Sequence, residues 1–180
     1  HAPGFNDPAH PRAIVFTTSK LLDKPGGGKD YANLGEGNDA YMNFVEDLTI
    51  ETGQGNPGAI GIDYLANNIG AVRNVTLTAP VGSGAIGLSM TRKWPGPALV
   101  QNLTVRGFEV GIATAQTEYG LTFNHIRLSD QRGSAMRNDQ NALSIRDLDV
   151  EGSAPAIVNK GEKGFIAIDG GKFRLRTNTQ

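Results

Sequence analysis

VEDLTI at Val45–Ile50, VRNVTL at Val72–Leu77 and VQNLTV at Val100–Val105 are one phrase written three times. Three weaker copies continue it: FNHIRL at Phe123–Leu128, IRDLDV at Ile145–Val150 and IDGGKF at Ile168–Phe173. Each runs apolar, polar, small-polar, apolar, polar, apolar, with the last copy degraded at its glycines. The third position is occupied in turn by Asp47, Asn74, Asn102, His125, Asp147 and Gly170, at spacings of 27, 28, 23, 22 and 23 residues. A period of this size marks a repeat architecture.

A second column keeps step with the first. Gly61-Ile62, Gly87-Leu88, Gly111-Ile112, Ala135-Met136 and Ala156-Ile157 each set a small residue before a larger apolar one. Their spacings are 26, 24, 24 and 21 residues. Two columns in register over five units mean that each unit is one turn of a solenoid.

The units are strand-forming. Apolar positions alternate by two within each phrase, as in Leu48 and Ile50 or Val75 and Leu77. Val, Ile and Thr dominate them. Helical repeats run to roughly 33–47 residues and need apolar steps of three and four. The leucine-asparagine spacing of a leucine-rich repeat does not fit. The expected fold is all-β, a right-handed parallel β-helix of about six coils, roughly 29 Å long at about 4.8 Å per coil. Asn74 and Asn102 are expected on an inward turn, bonded along the axis as an amide ladder. Their sequons, Asn74-Val-Thr76 and Asn102-Leu-Thr104, are then structural. The small column is expected to permit a tight corner.

The expected organisation is an irregular segment with a partial first coil over 1–40, the β-helix over 41–175, and a tail over 176–180. RAIVFTT at Arg12–Thr18 reads as a strand of an earlier coil, and Lys24–Asn38 as a loop. Solenoids need covered ends, and no amphipathic capping helix is legible. Because residue 1 is His, a leader, a tag or a larger part of the protein is expected to have been removed ahead of it. The chain reads as a piece of a longer solenoid, or as one that self-associates through its uncapped ends.

Composition narrows the function. Seventeen basic residues face 18 acidic ones, which gives no basic stripe for nucleic acid. No stretch is long and apolar enough for a membrane helix. Absent cysteines exclude thiolate metal sites and disulfides. No cofactor or metal is expected. A polysaccharide or oligosaccharide is the partner easiest to defend.

PGFNDP at Pro3–Pro8, NFVEDLTIETGQGNPGAIGI at Asn43–Ile62, GAVRNVTL at Gly70–Leu77 and MTRKWPGPALVQNLTVRGFEVGI at Met90–Ile112 resemble bacterial proteins of the pectate-lyase-like superfamily. Within it they look most like family-28-related and family-55-like glycoside hydrolases. The resemblance implies a right-handed β-helix, secretion or display at a bacterial cell surface, and action on a polysaccharide, with β-1,3-glucan one candidate.

Glycoside hydrolysis needs two carboxyl groups about 5–9.5 Å apart. Asp63, Glu118 and Asp139 are the candidate catalytic residues: Asp63 follows the small column near a strand end, and Glu118 and Asp139 follow it in later coils, at loops expected to overhang the same side. Tyr64, Arg92, Trp94, Tyr119 and Arg137 are the candidate substrate-binding residues, because sugar faces stack on aromatic rings while hydroxyls seek polar groups. Asp63, Arg92, Trp94 and Arg137 are expected to share one groove. A noncatalytic glycan-binding module and a trimeric fibre segment are the alternatives. Lyase chemistry through Arg92 or Arg137 lacks its calcium-binding aspartates. A copper site at His1 would require that residue to be a natural amino terminus.

Overall fold

A computed structural model describes residues 4–18 and 40–177. The chain forms a parallel β-solenoid of about six turns, and among the described residues there is no helix. Short strands make one sheet: β1 (Arg12–Phe16), β3 (Ala59–Asp63), β5 (Ile86–Met90), β7 (Val110–Ala115), β9 (Ser134–Asp139) and β11 (Ile157–Lys160), stacked in that order. Long strands make the other: β2 (Phe44–Glu51), β4 (Ala71–Thr78), β6 (Ala98–Arg106), β8 (Leu121–Ser129), β10 (Ala142–Gly152) and β12 (Phe165–Leu175). The expected early strand is therefore real, since β1 pairs with β3. The loop expected at Lys24–Asn38 lies outside the described residues, as do His1 and residues 178–180.

The repeated phrase lies in the long strands, and its pattern describes a corner. Asp47, Asn74, Asn102, His125 and Asp147 have φ between 52 and 55°, and Gly170 has φ 77°. A single left-handed residue turns the chain inside what is otherwise one strand. Pairing steps over it: Glu46 aligns with Arg73 and Leu48 with Val75, while Asp47 and Asn74 drop out. The residues before and at the corner both face outward, so the core positions fall at one, four and six of each phrase. Val45, Val72, Val100, Phe123 and Ile145 make one stacked column. Leu48, Val75, Leu103, Ile126 and Leu148 make the next, and Ile50, Leu77, Val105, Leu128 and Val150 the third. Against them pack Ile62, Leu88, Ile112 and Met136 of the short sheet.

The ladder differs from expectation in one respect. Asn74 Nδ2 donates to Asp47 Oδ1 at 2.8 Å, and Asn102 Nδ2 to Asn74 Oδ1 at 2.9 Å, but all three residues are exposed. His125 Nδ1 meets Asp147 Oδ2 at 3.1 Å. The left-handed corner turns these side chains outward, so the ladder runs along the surface. Asn, Asp, His and Gly are the residues that best tolerate this backbone, which accounts for the identity of the column.

A second polar ladder stands at the end of the short sheet, buried at Thr114 and Asn138 and reaching the surface at Asn159. Thr114 Oγ1 donates to Asn138 Oδ1 at 2.7 Å, and Asn138 Nδ2 to Asn159 Oδ1 at 2.9 Å. Asn138 Oδ1 also accepts from the Asn141 amide at 3.2 Å.

The small column reflects close stacking and not a tight corner. A Cβ on Gly61 would lie 2.7 Å from the Gly87 carbonyl oxygen, and one on Gly87 2.6 Å from that of Gly111. The tail also gains a role: Arg176 binds Glu151 and Asp130, both at 2.8 Å.

The corner predicts an ordering of variants. Asn74→Val places a β-branched residue in left-handed backbone and should cost about 1–2 kcal/mol. Asn74→Gly keeps the backbone easy and loses only exposed ladder bonds, so it should cost less. Denaturant unfolding of the two checks this, and equal losses would count against the corner as the controlling constraint.

Candidate functional site

Each coil has two edges: one where the short sheet hands the chain to the long sheet, and one where it returns. Asp63 and Arg92 lie at the first edge, inside the molecule. Both are almost fully buried, and Arg92 Nε donates to Asp63 Oδ1 at 2.9 Å. Arg92 Nη2 donates to the Asp63 carbonyl at 3.2 Å and to the Thr17 carbonyl. Its guanidinium carbon lies 4.2 Å from the centroid of the Phe16 ring. Thr17 in turn exchanges hydrogen bonds with the Leu65 backbone at 2.7 and 2.8 Å. The arginine thus fastens the end of β1 to the coils that follow. The Asp63 carboxylate is a buried acceptor held by this arginine.

Tyr64 is also interior. Its hydroxyl donates to the Asn43 carbonyl at 2.6 Å. Burial pushes its ionisation above the ordinary tyrosine value, opposed by the charge of Arg73 and reinforced by that of Glu46. A phenol so placed braces the edge from within.

The remaining candidates are accessible. Arg137 and Asp139 are neighbours on β9, with Nε 3.7 Å from Oδ2 and both side chains partly exposed. Glu118 is exposed in the turn after β7. Asp63, Ser89, Ala113 and Arg137 occupy one register column, which puts Asp63 three layers from Arg137, roughly 14 Å along the axis. Asp139 lies two residues beyond Arg137 on the same strand, so the Asp63 and Asp139 carboxyls are also three layers apart, more than glycosidic carboxyl pairs use. Asp139 aligns with Ala115, and Glu118 lies three residues beyond Ala115 in the adjacent coil. The expected single groove does not form, because Asp63 and Arg92 turn inward while Trp94 and Arg137 stay at the surface. Among the described residues, no cluster of three or more His, Asp or Glu side chains is placed to hold a metal.

The same edge carries a row of apolar and aromatic groups. Trp94 is partly exposed, and Tyr119, Tyr41, Phe44 and Ile69 are 42, 55, 46 and 56% exposed. They lie in or beside consecutive turns into β2, β4, β6 and β8. The turns touch, since a Cβ on Gly96 would lie 3.4 Å from the Tyr119 carbonyl. Trp94 and Tyr119 have φ of 58 and 65°. A bulky residue in left-handed backbone costs about 1–3 kcal/mol where Gly or Asn is easier. Lys93 Nζ lies 4.0 Å from the centroid of the Trp94 ring. Beneath the row lies a shallow cavity of about 380 Å³ lined by Phe44, Ile69, Arg73, Pro97, Leu99 and Thr122, among others. Arg73 binds Glu46 at 3.2 Å and stands 5.8 Å from the Phe44 ring centroid. Tyr41, Phe44 and Arg73 escaped the sequence reading. Their signal was position, since Phe44 directly precedes the repeated phrase where Ala71 precedes the next copy.

Asp63→Ala would leave the Arg92 guanidinium buried without its partner and should cost about 3–5 kcal/mol of stability. Thermal unfolding reads the loss. A variant of unchanged stability would show that the pair is not the fastening described. No family model matches the chain, and neither a curated protein nor a solved structure does.

Proposed function

We propose that the protein binds a polysaccharide along the edge that carries Trp94 and Tyr119, as a noncatalytic glycan-binding solenoid. The observation that carries this reading is the pair of aromatic side chains at left-handed positions on successive turns, where smaller residues would cost less. Aromatic faces stack on the apolar faces of sugar rings, and polar neighbours take the hydroxyls. Lys93, Glu118, Arg73 and Asn68 supply donors and acceptors beside the rings. Coils repeat at about 4.8 Å, so an extended chain lying parallel to the axis meets one turn after another. Binding is preferred to hydrolysis because the Asp63 carboxylate is spent on Arg92 and that of Asp139 lies beside Arg137.

Trp94→Ala and Tyr119→Ala should each weaken binding of neutral oligosaccharides by about tenfold, the size of one aromatic contact. Unfolding should change little. A glycan array followed by calorimetry tests this, and unchanged affinity in both variants would refute the edge. Release of reducing ends from a bound glycan would replace the noncatalytic reading with the hydrolase reading.

Self-association has separate support. Among the described residues β12 is the last strand of its sheet, and its core-column residues Ile168 and Phe173 are 42 and 49% exposed. Such an edge is a template for another strand layer. A second copy meeting this end would bury both. Sedimentation should then show an oligomer that Phe173→Glu dissociates, and a monomer at high concentration would discard it.

A further inference from the structure

The opposite edge holds a second concavity. It has a volume of about 690 Å³, within the range of small-molecule sites. Its walls are the ends of the long strands, with Glu51, Thr78 and Arg106, and the turns that follow, with Pro80, Asp130 and Arg132. The two grooves lie at opposite ends of β4 and β6 and share no lining residue.

Three arginines line it, and their spare donors differ. Arg176 has all three nitrogens bonded, with Nε and Nη2 on Glu151 at 3.1 and 2.8 Å and Nη1 on Asp130 at 2.8 Å. Hydrogen bonding to Glu151, with the charges of Glu151 and Asp130, raises its ionisation further. Arg106 uses only Nε, on Asp130 Oδ2 at 3.2 Å, and its side chain is 71% exposed. Arg132 is rooted by Nη2 on the Gly84 carbonyl at 2.9 Å and by Nε 3.4 Å from Glu109. Both terminal nitrogens of Arg106 and Nη1 of Arg132 have no bond to the described residues.

Asp130 anchors this arrangement. Each of its oxygens is held by a different arginine, so its charge is countered where it stands. The opposing charges are Glu109, whose Oε2 lies 3.4 Å from Arg132 Nε, Glu151 on Arg176, and Glu51, which lies two layers from Arg106 in the register, about 10 Å along the axis. A single guanidinium fork matches a planar carboxylate. The free fork of Arg106 and the Nη1 of Arg132, arriving from adjacent coils, match an anion with oxygens in several directions.

We propose that this groove is a binding site for a tetrahedral oxyanion, a sulfate or phosphate ester carried on a small polar molecule, held between Arg106 and Arg132. Pro80, Ala79 and the methyl of Thr78 give the carrier an apolar wall.

Calorimetry on the full chain tests the site with five probes: glucose 6-sulfate, glucose 6-phosphate, glucuronate, glucose, and inorganic sulfate. One or both esters should bind, and the tighter one names the anion. Arg106→Ala and Arg132→Ala should each weaken that ester at least tenfold, and Glu51→Gln should tighten it. Far-ultraviolet circular dichroism and unfolding of the variants separate lost donors from lost fold. Glucuronate binding as tightly as the esters would overturn the tetrahedral assignment. Equal binding of glucose, or ester affinity unchanged in both arginine variants, would overturn the site. Inorganic sulfate binding as tightly as either ester would overturn the role of the carrier wall. Loss of the neutral-glycan interaction in Trp94→Ala leaves these results untouched, since that edge lies apart.

Discussion

A single left-handed residue in each long strand sets the geometry of the molecule. At φ near 54°, Asp47, Asn74, Asn102, His125 and Asp147 bend the strand and drop out of the register, while pairing to the neighbouring coils resumes on both sides of them. The bend places two outward residues in succession, and from there the inward columns follow. It also lets a two-sheet solenoid close on itself, because the long strand wraps around the core instead of passing across it. Any residue that resists this backbone raises the cost of a whole coil. The neighbouring coils hold the same bend in register, so the cost cannot be relieved locally.

The solenoid was legible in the sequence because the bend leaves a chemical trace. Strict alternation would give one polar residue between apolar ones, and the phrase VRNVTL has two. The column of Asn, Asp, His and Gly was visible, and so was its stacking. Its direction was not, since an amide ladder reads the same in letters whether it faces core or solvent. The second ladder, of Thr114, Asn138 and Asn159, was hidden for a different reason. Its column begins as Tyr64 and Met90, so no repeated letter betrays it. The Gly61 column was seen, but a carbonyl approaching from the next coil is a contact between layers and leaves no local pattern.

The site was less legible than the fold because charges on a solenoid pair across layers. Asp63 and Arg92 are 29 residues apart, and the arginine lies beyond its own strand. From sequence each reads as an exposed end-of-strand group. In the fold they neutralise one another in the interior, with the remaining donors of the arginine on backbone carbonyls. Trp94 and Tyr119 were legible as aromatic residues in turns. What the sequence withheld was that their turns are adjacent and left-handed. Phe44 and Arg73 belong to the repeat and were absorbed by it.

The edge that bears the aromatic row is held in a consistent way. Arg92 donates to the Asp63 carbonyl one coil back, Gln116 Nε2 to the Thr91 carbonyl at 3.3 Å, and Asn141 Nδ2 to the Ala115 carbonyl at 3.3 Å. Each turn is therefore tied by a polar side chain to a backbone carbonyl of the coil before it. Turns are where a solenoid tolerates change in length and sequence. A turn bonded to its predecessor is nevertheless fixed in place, which allows Trp94 and Tyr119 to persist in strained backbone. It also means that a ligand along this edge meets rings already ordered, so little of its binding energy is lost to arranging them. The return edge uses ion pairs instead, Asp130 with Arg106 and Arg176, and there the ordering comes from charge. One scaffold thus presents two ordered edges of different chemistry, one lined by aromatic rings, the other by paired arginines and carboxylates.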